Sequence, residues 1–249
     1  MIIQIIGLPG SGKTMLAEEL ADRINAVHFN ADKVRAGLNS DLGFSPEARI
    51  EQARRMGALA RLTSEQGFIT VVDFICPTKE TREAFGKSDL LIVMKRTPIR
   101  DFADTTAMWE EPESADLTFG DELELEDKIQ VILKTTGLPD WKAPTTLMLG
   151  RYQPWHEGHQ ALMEKAHERT EQVLIAVRHT QGTSEKDPLS FRQVANEIIN
   201  KVPKPFIMKV PNITNIVYGR DVGYKIEQVD LGADIHSISA TQKRKEMGI

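Results

Sequence analysis

Ile2-Ile3-Gln4-Ile5-Ile6-Gly7-Leu8-Pro9-Gly10-Ser11-Gly12-Lys13-Thr14 opens the chain and decides its fold. The first five residues form a short, β-branched, apolar run of the kind buried in a parallel sheet. Glycines follow at 7, 10 and 12, and then a helical pattern runs from Lys13 to Ile24 with Leu16, Leu20 and Ile24 on one face. A G-x-x-x-x-G-K-[ST] loop between a strand and a helix is built for polyphosphate. Its backbone N–H groups curl around the β-phosphate, and the helix N-terminus adds positive partial charge. On that reading Gly7, Gly10, Ser11 and Gly12 cradle the phosphates, Lys13 bridges the β- and γ-phosphates, and Thr14 holds Mg²⁺. The alternative is a glycine turn that merely joins strand to helix.

Working outward, Ser45-Pro46 is a helix start signal for a strongly helical stretch from Glu47 to Glu65. Phe68 to Val72 and Leu90 to Met94 read as further buried strands. Strand and helix alternate, so a parallel α/β sheet is expected. Gly137-Leu138-Pro139-Asp140-Trp141-Lys142-Ala143-Pro144 interrupts the pattern with a glycine and two prolines, and a domain boundary is expected there, between a unit of residues 1–140 and one of residues 145–249. A second cycle follows: a strand from Thr145 to Leu149, a helix from Gly158 to Thr170, a strand from Val173 to Val177, a helix from Phe191 to Lys201, a strand from Ile207 to Val210, and a last helix starting near Ser239.

The 249 residues are 41% hydrophobic and 27% charged, with a net charge of −5. The acidic balance argues against a nucleic-acid partner, so anionic substrates must be held by local lysines and arginines. The single cysteine, Cys76, excludes an internal disulfide and a thiolate zinc cluster, and reads as a small buried residue at a strand end. No apolar run reaches membrane-spanning length and no signal-peptide pattern precedes the first strand, so a cytoplasmic setting with no membrane partner is expected.

Phe29-Asn30-Ala31-Asp32-Lys33-Val34-Arg35-Ala36-Gly37-Leu38-Asn39-Ser40-Asp41-Leu42-Gly43-Phe44-Ser45 resembles the substrate segment of the adenylylsulfate kinases, with their Asp-Gly-Asp-Asn-Val-Arg, Gly-Leu-Asn and Asp-Leu-Gly-Phe-Ser stretches. Arg49-Ile50-Glu51-Gln52-Ala53-Arg54-Arg55 is similar to the family's Arg-x-Glu-Asn-x-Arg-Arg helix, and Phe74-Ile75-Cys76-Pro77 to its Phe-Ile-Ser-Pro. The resemblance covers roughly residues 1–120. It implies that Asp32 faces the accepting hydroxyl and the metal, that Arg35 holds the acceptor's anionic group, that Phe44 stacks on its nucleobase, and that Arg49 and Gln52 also meet the substrate. These roles are chemically apt: a carboxylate orients an alcohol, a guanidinium forks onto phosphate or sulfate, and an aromatic face suits a base. The plainer readings are a helix N-cap for Asp32 and a core residue for Phe44. Asn30 and Lys33 stand where the family has Asp and Asn, Gln52 where it has Asn, and the family's lid stretch is missing between Asp101 and Trp109. Asp73, after Val71-Val72, has the pattern of an acid that holds Mg²⁺ through water.

In the second half, Gly150-Arg151-Tyr152-Gln153-Pro154-Trp155-His156-Glu157-Gly158-His159 follows a strand and opens a helix. It resembles the His-x-Gly-His signature of the nucleotidylyltransferase superfamily, whose fold is Rossmann-like. Ile238-Ser239-Ala240-Thr241-Gln242-Lys243-Arg244 is similar to that superfamily's Ile-Ser-x-Thr-x-x-Arg, although alone it could be a simple capping sequence. The resemblance implies nucleotide contacts from Gly150, Arg151, His156, His159, Ser239, Thr241 and Arg244, with His156, His159 and Arg244 catalytic. Tyr218-Gly219-Arg220-Asp221 is a further stretch shared with related transferases.

Together these readings give an α/β chain of two domains: a P-loop parallel-sheet kinase, then a small Rossmann-like nucleotidylyltransferase. The expectation is a bifunctional enzyme that uses ATP and Mg²⁺ in the first half, with Lys13 and Asp32 catalytic and Thr14 and Asp73 on the metal. The second half is expected to use ATP or CTP. Its partners are small nucleotide and anionic substrates, with a possible homodimer. Two alternatives stay open: the kinase phosphorylates a small alcohol that the second half then cytidylylates or adenylylates, or both folds serve a non-catalytic nucleotide sensor.

Overall fold

The computed structural model describes residues 1–95, 103–180, 182–217, 219, 223–232, 238 and 240–248. The chain divides into two compact units, Met1–Trp141 and Lys142–Ile249.

The first unit is a five-stranded, wholly parallel sheet in the order β2-β3-β1-β4-β5, made of β1 (Ile2–Gly7), β2 (Val27–Asn30), β3 (Thr70–Phe74), β4 (Leu90–Met94) and β5 (Leu117–Phe119). Helices α1 (Lys13–Arg23), α2 (Ala31–Ala36), α3 (Pro46–Glu65), α4 (Lys79–Phe85), α5 (Ala103–Ala107) and α6 (Leu125–Thr136) lie between the strands in sequence. The sheet is covered on both faces, which is why its strands read as unbroken apolar runs. On one face Ile3, Ile5, Val71 and Ile92 pack with Leu16, Leu20, Ile129 and Ile132 of α1 and α6. On the other, Ile2, Ile6, Val72 and Val93 pack with Ala53, Met56 and Phe85 of α3 and α4.

The expected strand from Phe68 to Val72 is displaced by two residues, to Thr70–Phe74. Pairing with β1 sets this register, placing Asp73 opposite Ile5 and Phe74 opposite Ile6. Phe68 is left outside and exposed. Asp73 therefore stands within the strand, not after it. Because side chains alternate with period two, the shift leaves the inward and outward faces unchanged. The carboxyl ends of β1, β2 and β3 finish side by side, the place where open parallel sheets bind ligands.

Arg23, at the C-terminus of α1, is almost fully buried, and its guanidinium is satisfied by Asp140 and by both oxygens of Glu126. The Trp141 N–H donates to the Arg23 carbonyl at 2.7 Å. A cation here also complements the negative end of the helix.

The second unit contains a three-stranded parallel sheet in the order β6-β7-β8, from β6 (Thr145–Gly150), β7 (Gln172–Arg178) and β8 (Phe206–Val210). Its helices are α7 (Glu157–His167), α8 (Phe191–Lys201) and α9 (Ala240–Met247). Helix α7 starts one residue earlier and ends three earlier than the sequence suggests, because His156 takes the N-cap position. Val173, Ile175 and Val177 pack with Met163, Val194 and Ile198 of the connecting helices. Among the described residues, no helix is long and apolar enough to cross a membrane.

Candidate active sites

In the first unit, three glycines shape the loop after β1. A Cβ on Gly7 would meet the Met94 carbonyl oxygen at 2.5 Å, and Gly10 and Gly12 have φ of 76° and 82°, in the left-handed region that suits glycine. Gly12 is the N-cap of α1 and no side chain caps that end. The Ser11 hydroxyl is buried without a protein partner. An uncapped helix start beside a buried unsatisfied hydroxyl is what a bound phosphate would complete. Lys13 Nζ donates to the Leu8 carbonyl at 3.3 Å. Burial pushes its pKa down, against the pull of Asp73 and Asp32.

Thr14 and Asp73 meet directly, the Thr14 hydroxyl donating to Asp73 Oδ2 at 2.6 Å. Among the described residues no group of three His, Cys, Asp or Glu side chains gathers for a metal. The donor set that exists, one carboxylate and one hydroxyl, fits Mg²⁺, which keeps waters and takes its remaining ligands from phosphate.

A cleft of about 550 Å³ adjoins the loop, and Lys13, Asp32, Arg35, Phe44 and Arg49 line it. The N-cap of α2 is Asn30, whose Oδ1 accepts from the N–H groups of Asp32 and Lys33, so capping is not the role of Asp32. Phe44 is 69% exposed, so it is not a core residue. The Arg35 guanidinium lies 4.8 Å from the centre of its ring and that of Arg49 5.9 Å away. Arg35 also donates to the Gly43 carbonyl, and Arg49 to that of Phe44. Burial, then the neighbouring Arg49 charge, lowers the Arg35 pKa. Two crowded guanidiniums beside an exposed ring set positive charge next to an aromatic face, chemistry that suits a flat, anionic group.

Gln52, expected at the substrate, is held by the protein. It borders the cleft, but it is buried, accepts from Asn39 at 2.8 Å and donates to the Ala31 carbonyl at 3.1 Å. It ties Ala31 to Asn39 at the edge of the cleft. Arg55 grips both oxygens of Asp41. Burial pushes the Cys76 thiol up to about 12, so it is no nucleophile. Sequence reading missed His28, whose Nε2 is 2.6 Å from Asp73 Oδ1.

In the second unit, the loop after β6 turns into α7 through Tyr152, Gln153 and Trp155. A Cβ on Gly150 would strike the Tyr152 ring at 2.7 Å, so this glycine makes room for packing and its expected nucleotide contact has an alternative explanation. Gln153 exchanges two hydrogen bonds with the Leu189 backbone. The two histidines stack with ring centres 3.8 Å apart. His156 Nδ1 accepts from the Gly158 N–H and His159 Nδ1 from the His156 N–H. Both Nδ1 atoms being acceptors, a neutral ring carries its proton on Nε2 and offers it as a donor. Burial, then the His156 and Lys201 charges, lowers the His159 pKa to about 3.

Arg244 Nη1 donates to the Gln153 carbonyl at 2.8 Å and Nη2 to the Thr241 hydroxyl at 3.1 Å, so α9 is docked on the histidine loop. Arg151 instead pairs with Asp187 at 3.2 Å. Ser239, Tyr218, Arg220 and Asp221 lie outside the described residues, as does Asp101 at the start of the lid region. A hollow of about 370 Å³ is lined by His156, Glu157, Gln160, Lys201 and Lys243. Glu197 and Lys201 were not foreseen. They hold the Trp155 N–H and carbonyl respectively, one turn apart on α8. Their i,i+4 spacing was visible in the sequence, but the backbone they grip was not.

The depressed His159 pKa has a consequence for stability. Between the ordinary histidine value of 6.5 and about 3, the unfolded chain holds the proton that the folded one refuses. Stability of the second unit therefore falls as pH drops through that window, by about 2 kcal/mol at pH 5. Urea unfolding followed by Trp155 fluorescence, with Trp109→Phe and Trp141→Phe, checks this. His159→Asn is expected to flatten the pH 7 to pH 5 difference by that amount.

A parallel sheet with a glycine loop between its first strand and helix, a paired threonine and aspartate, and a cleft alongside is the architecture of a P-loop kinase. The adenylylsulphate kinase family model matches residues 1–89. An adenylyl-sulfate kinase of Bacillus licheniformis is 37% identical over 145 residues, covering 47% of this chain and 74% of that protein. The bifunctional enzyme NodQ of Rhizobium meliloti is 36% identical over 112 residues, 41% of this chain and 17% of that one. A solved Mycobacterium tuberculosis APS kinase in complex with AMPPNP and APS covers 55% of this chain and 96% of its own, at 23% identity and a TM-score of 0.49. The chain belongs to the adenylyl-sulfate kinase family, and its first unit is an ATP-dependent kinase.

Proposed function

We propose that the chain is a bifunctional transferase: a kinase that phosphorylates the 3′-hydroxyl of a nucleotidyl anhydride such as adenylylsulfate, joined to a nucleotidylyltransferase that makes such an anhydride. The observation that carries the first part is the cleft that sets Lys13 and Asp32 beside Arg35, Phe44 and Arg49. The base of the acceptor stacks on Phe44, and its anionic group lies between Arg35 and Arg49. Asp32 orients the hydroxyl and takes its proton as the oxygen attacks the γ-phosphorus in line, the bond to the β,γ-bridging oxygen breaks, and ADP leaves with that electron pair. Lys13 and the N–H groups of the loop stabilise the charge on the transferring group. Mg²⁺, when bound at Thr14 and Asp73, supplies further neutralisation of the phosphates.

The second part is supported by the stacked histidines and by Arg244 on the adjoining loop. No protein nucleophile is needed. An oxyanion of the acceptor attacks the α-phosphorus of the NTP and pyrophosphate departs. His156 and His159 donate from Nε2 to the α-phosphate oxygens, and Arg244 with Lys243 receives the leaving pyrophosphate. Separate measurement of ADP and pyrophosphate release, with sulfate, phosphate and phosphorylated alcohols as acceptors, tests the whole reading. Pyrophosphate release only with a phosphorylated alcohol would reverse the order of the two steps, and no release with any acceptor would leave the second unit a binding module.

Phe44→Ala tests the aromatic acceptor. Loss of base stacking worth roughly 1–3 kcal/mol is expected to raise the acceptor KM about 5- to 150-fold with little change in the KM for ATP. Because Phe44 is exposed, the melting temperature should hold. Initial rates with each substrate varied in turn, and a thermal melt, make the check.

A further inference from the structure

The Asp73 side chain is fully buried, and three groups converge on its carboxylate. Thr14 donates to Oδ2 at 2.6 Å, the Asn30 amide reaches both oxygens at 3.0 and 3.2 Å, and His28 Nε2 sits 2.6 Å from Oδ1. The sheet explains the gathering. Asn30 is opposite Asp73 across the β2–β3 pair, and His28, two residues earlier, falls on the same side of β2. A buried carboxylate needs hydrogen-bond donors. Donors on both oxygens also stop the group from rotating, so that Oδ2 stays on Thr14.

The identity of residue 30 fits this arrangement. The resembling kinases have an aspartate at that place, where this chain has Asn30. A second carboxylate there would lie against Asp73, whereas the amide donates to it. The acid beside Thr14 thus stands on β3, and β2 contributes two donors that steady it.

We infer that His28 is a positioning residue of the kinase centre, holding the Asp73 carboxylate in the orientation that Thr14 and nucleotide-bound Mg²⁺ require. The inference rests on the reading of Thr14 and Asp73 as the magnesium site. Groups that orient a metal-binding carboxylate typically change metal affinity about 10- to 100-fold when removed. His28→Leu deletes the donor, and His28→Gln keeps an N–H at similar reach.

The test is binding of a fluorescent ADP analogue to wild type and both variants, in EDTA and in Mg²⁺. Wild type is expected to bind more tightly with Mg²⁺. His28→Leu should lose about tenfold or more of that gain while its affinity in EDTA is unchanged, and His28→Gln should retain most of it. An undiminished gain in His28→Leu, or an equal loss with and without Mg²⁺, overturns the inference. Absence of any gain in wild type overturns the magnesium reading itself. A second measurement needs no variant: the imidazole ¹⁵N signals of His28 in the wild-type ADP complex should shift when Mg²⁺ is added. Signals that stay in place overturn the positioning role even if the leucine variant does not fold.

Discussion

Lys13→Ala is expected to cut ATP-dependent phosphorylation about 10²- to 10³-fold, the usual consequence of removing one preorganised donor to developing anionic charge. The cause is local. Lys13 leads α1 directly after the glycine loop, in the cleft shared with Asp32 and Asp73. Its charged form is disfavoured by burial and drawn back by those two carboxylates. A polyphosphate arriving there brings the counter-charge that burial denies it. The substitution should leave the fold intact, because a partly buried cation is removed and its hydrogen bond to the Leu8 carbonyl is a long one. Pyrophosphate release by the second unit should persist. The check is ADP formation and pyrophosphate formation measured on the same preparation, with circular dichroism to confirm folding. Undiminished phosphorylation by the alanine variant would sink the assignment of the loop.

The second large effect is expected from His159 and Arg244. Each alanine substitution should lower pyrophosphate release about 10²- to 10³-fold without touching phosphorylation. The double variant should lose less than the product of the two, because in the proposed transfer both groups serve one transition state. The geometry gives a reason for the coupling. His159 lies against His156 at 3.8 Å and takes the His156 N–H, while Arg244 holds the carbonyl of Gln153, three residues before His156. Removing either loosens the same loop. Four proteins, wild type, the two single variants and the double, assayed by pyrophosphate release with each acceptor that supports turnover, decide the matter. Release at the wild-type rate by His159→Ala would remove the catalytic claim for the second unit.

The first strand, loop and helix were legible because their residue types and spacing carry the signal within one continuous stretch. The apolar run needs two covered faces, the glycines need unusual backbone angles, and Lys13 and Thr14 follow at a fixed spacing. The strand Val27–Asn30 was invisible for the opposite reason. Its polar residues His28 and Asn30 turn toward Asp73, so it lacks the apolar run that marks a buried strand. The strand at Thr70–Phe74 was found but misplaced, since Phe68 looked like a core residue and only the partner strand could fix the register. Phe44 had two sequence readings, and its exposure removes the core one. Gln52 looked like a substrate ligand because its neighbours in sequence matched, yet Asn39 and the Ala31 carbonyl claim its amide from across the fold. Lys201 and Glu197 show the same limit. A side chain that serves another segment's backbone leaves no local mark.

The environment of Arg23 determines where the chain can be divided. Its buried guanidinium depends on Glu126 and Asp140, and its carbonyl receives the Trp141 N–H. A cut after Gly137 would leave a desolvated cation short of a counter-ion and expose the end of α1. A cut after Trp141 keeps each of these partners. The residues that close the first unit are thus a clasp on its opening helix, and any attempt to transplant, fuse or separately express the kinase half should keep the chain through Trp141.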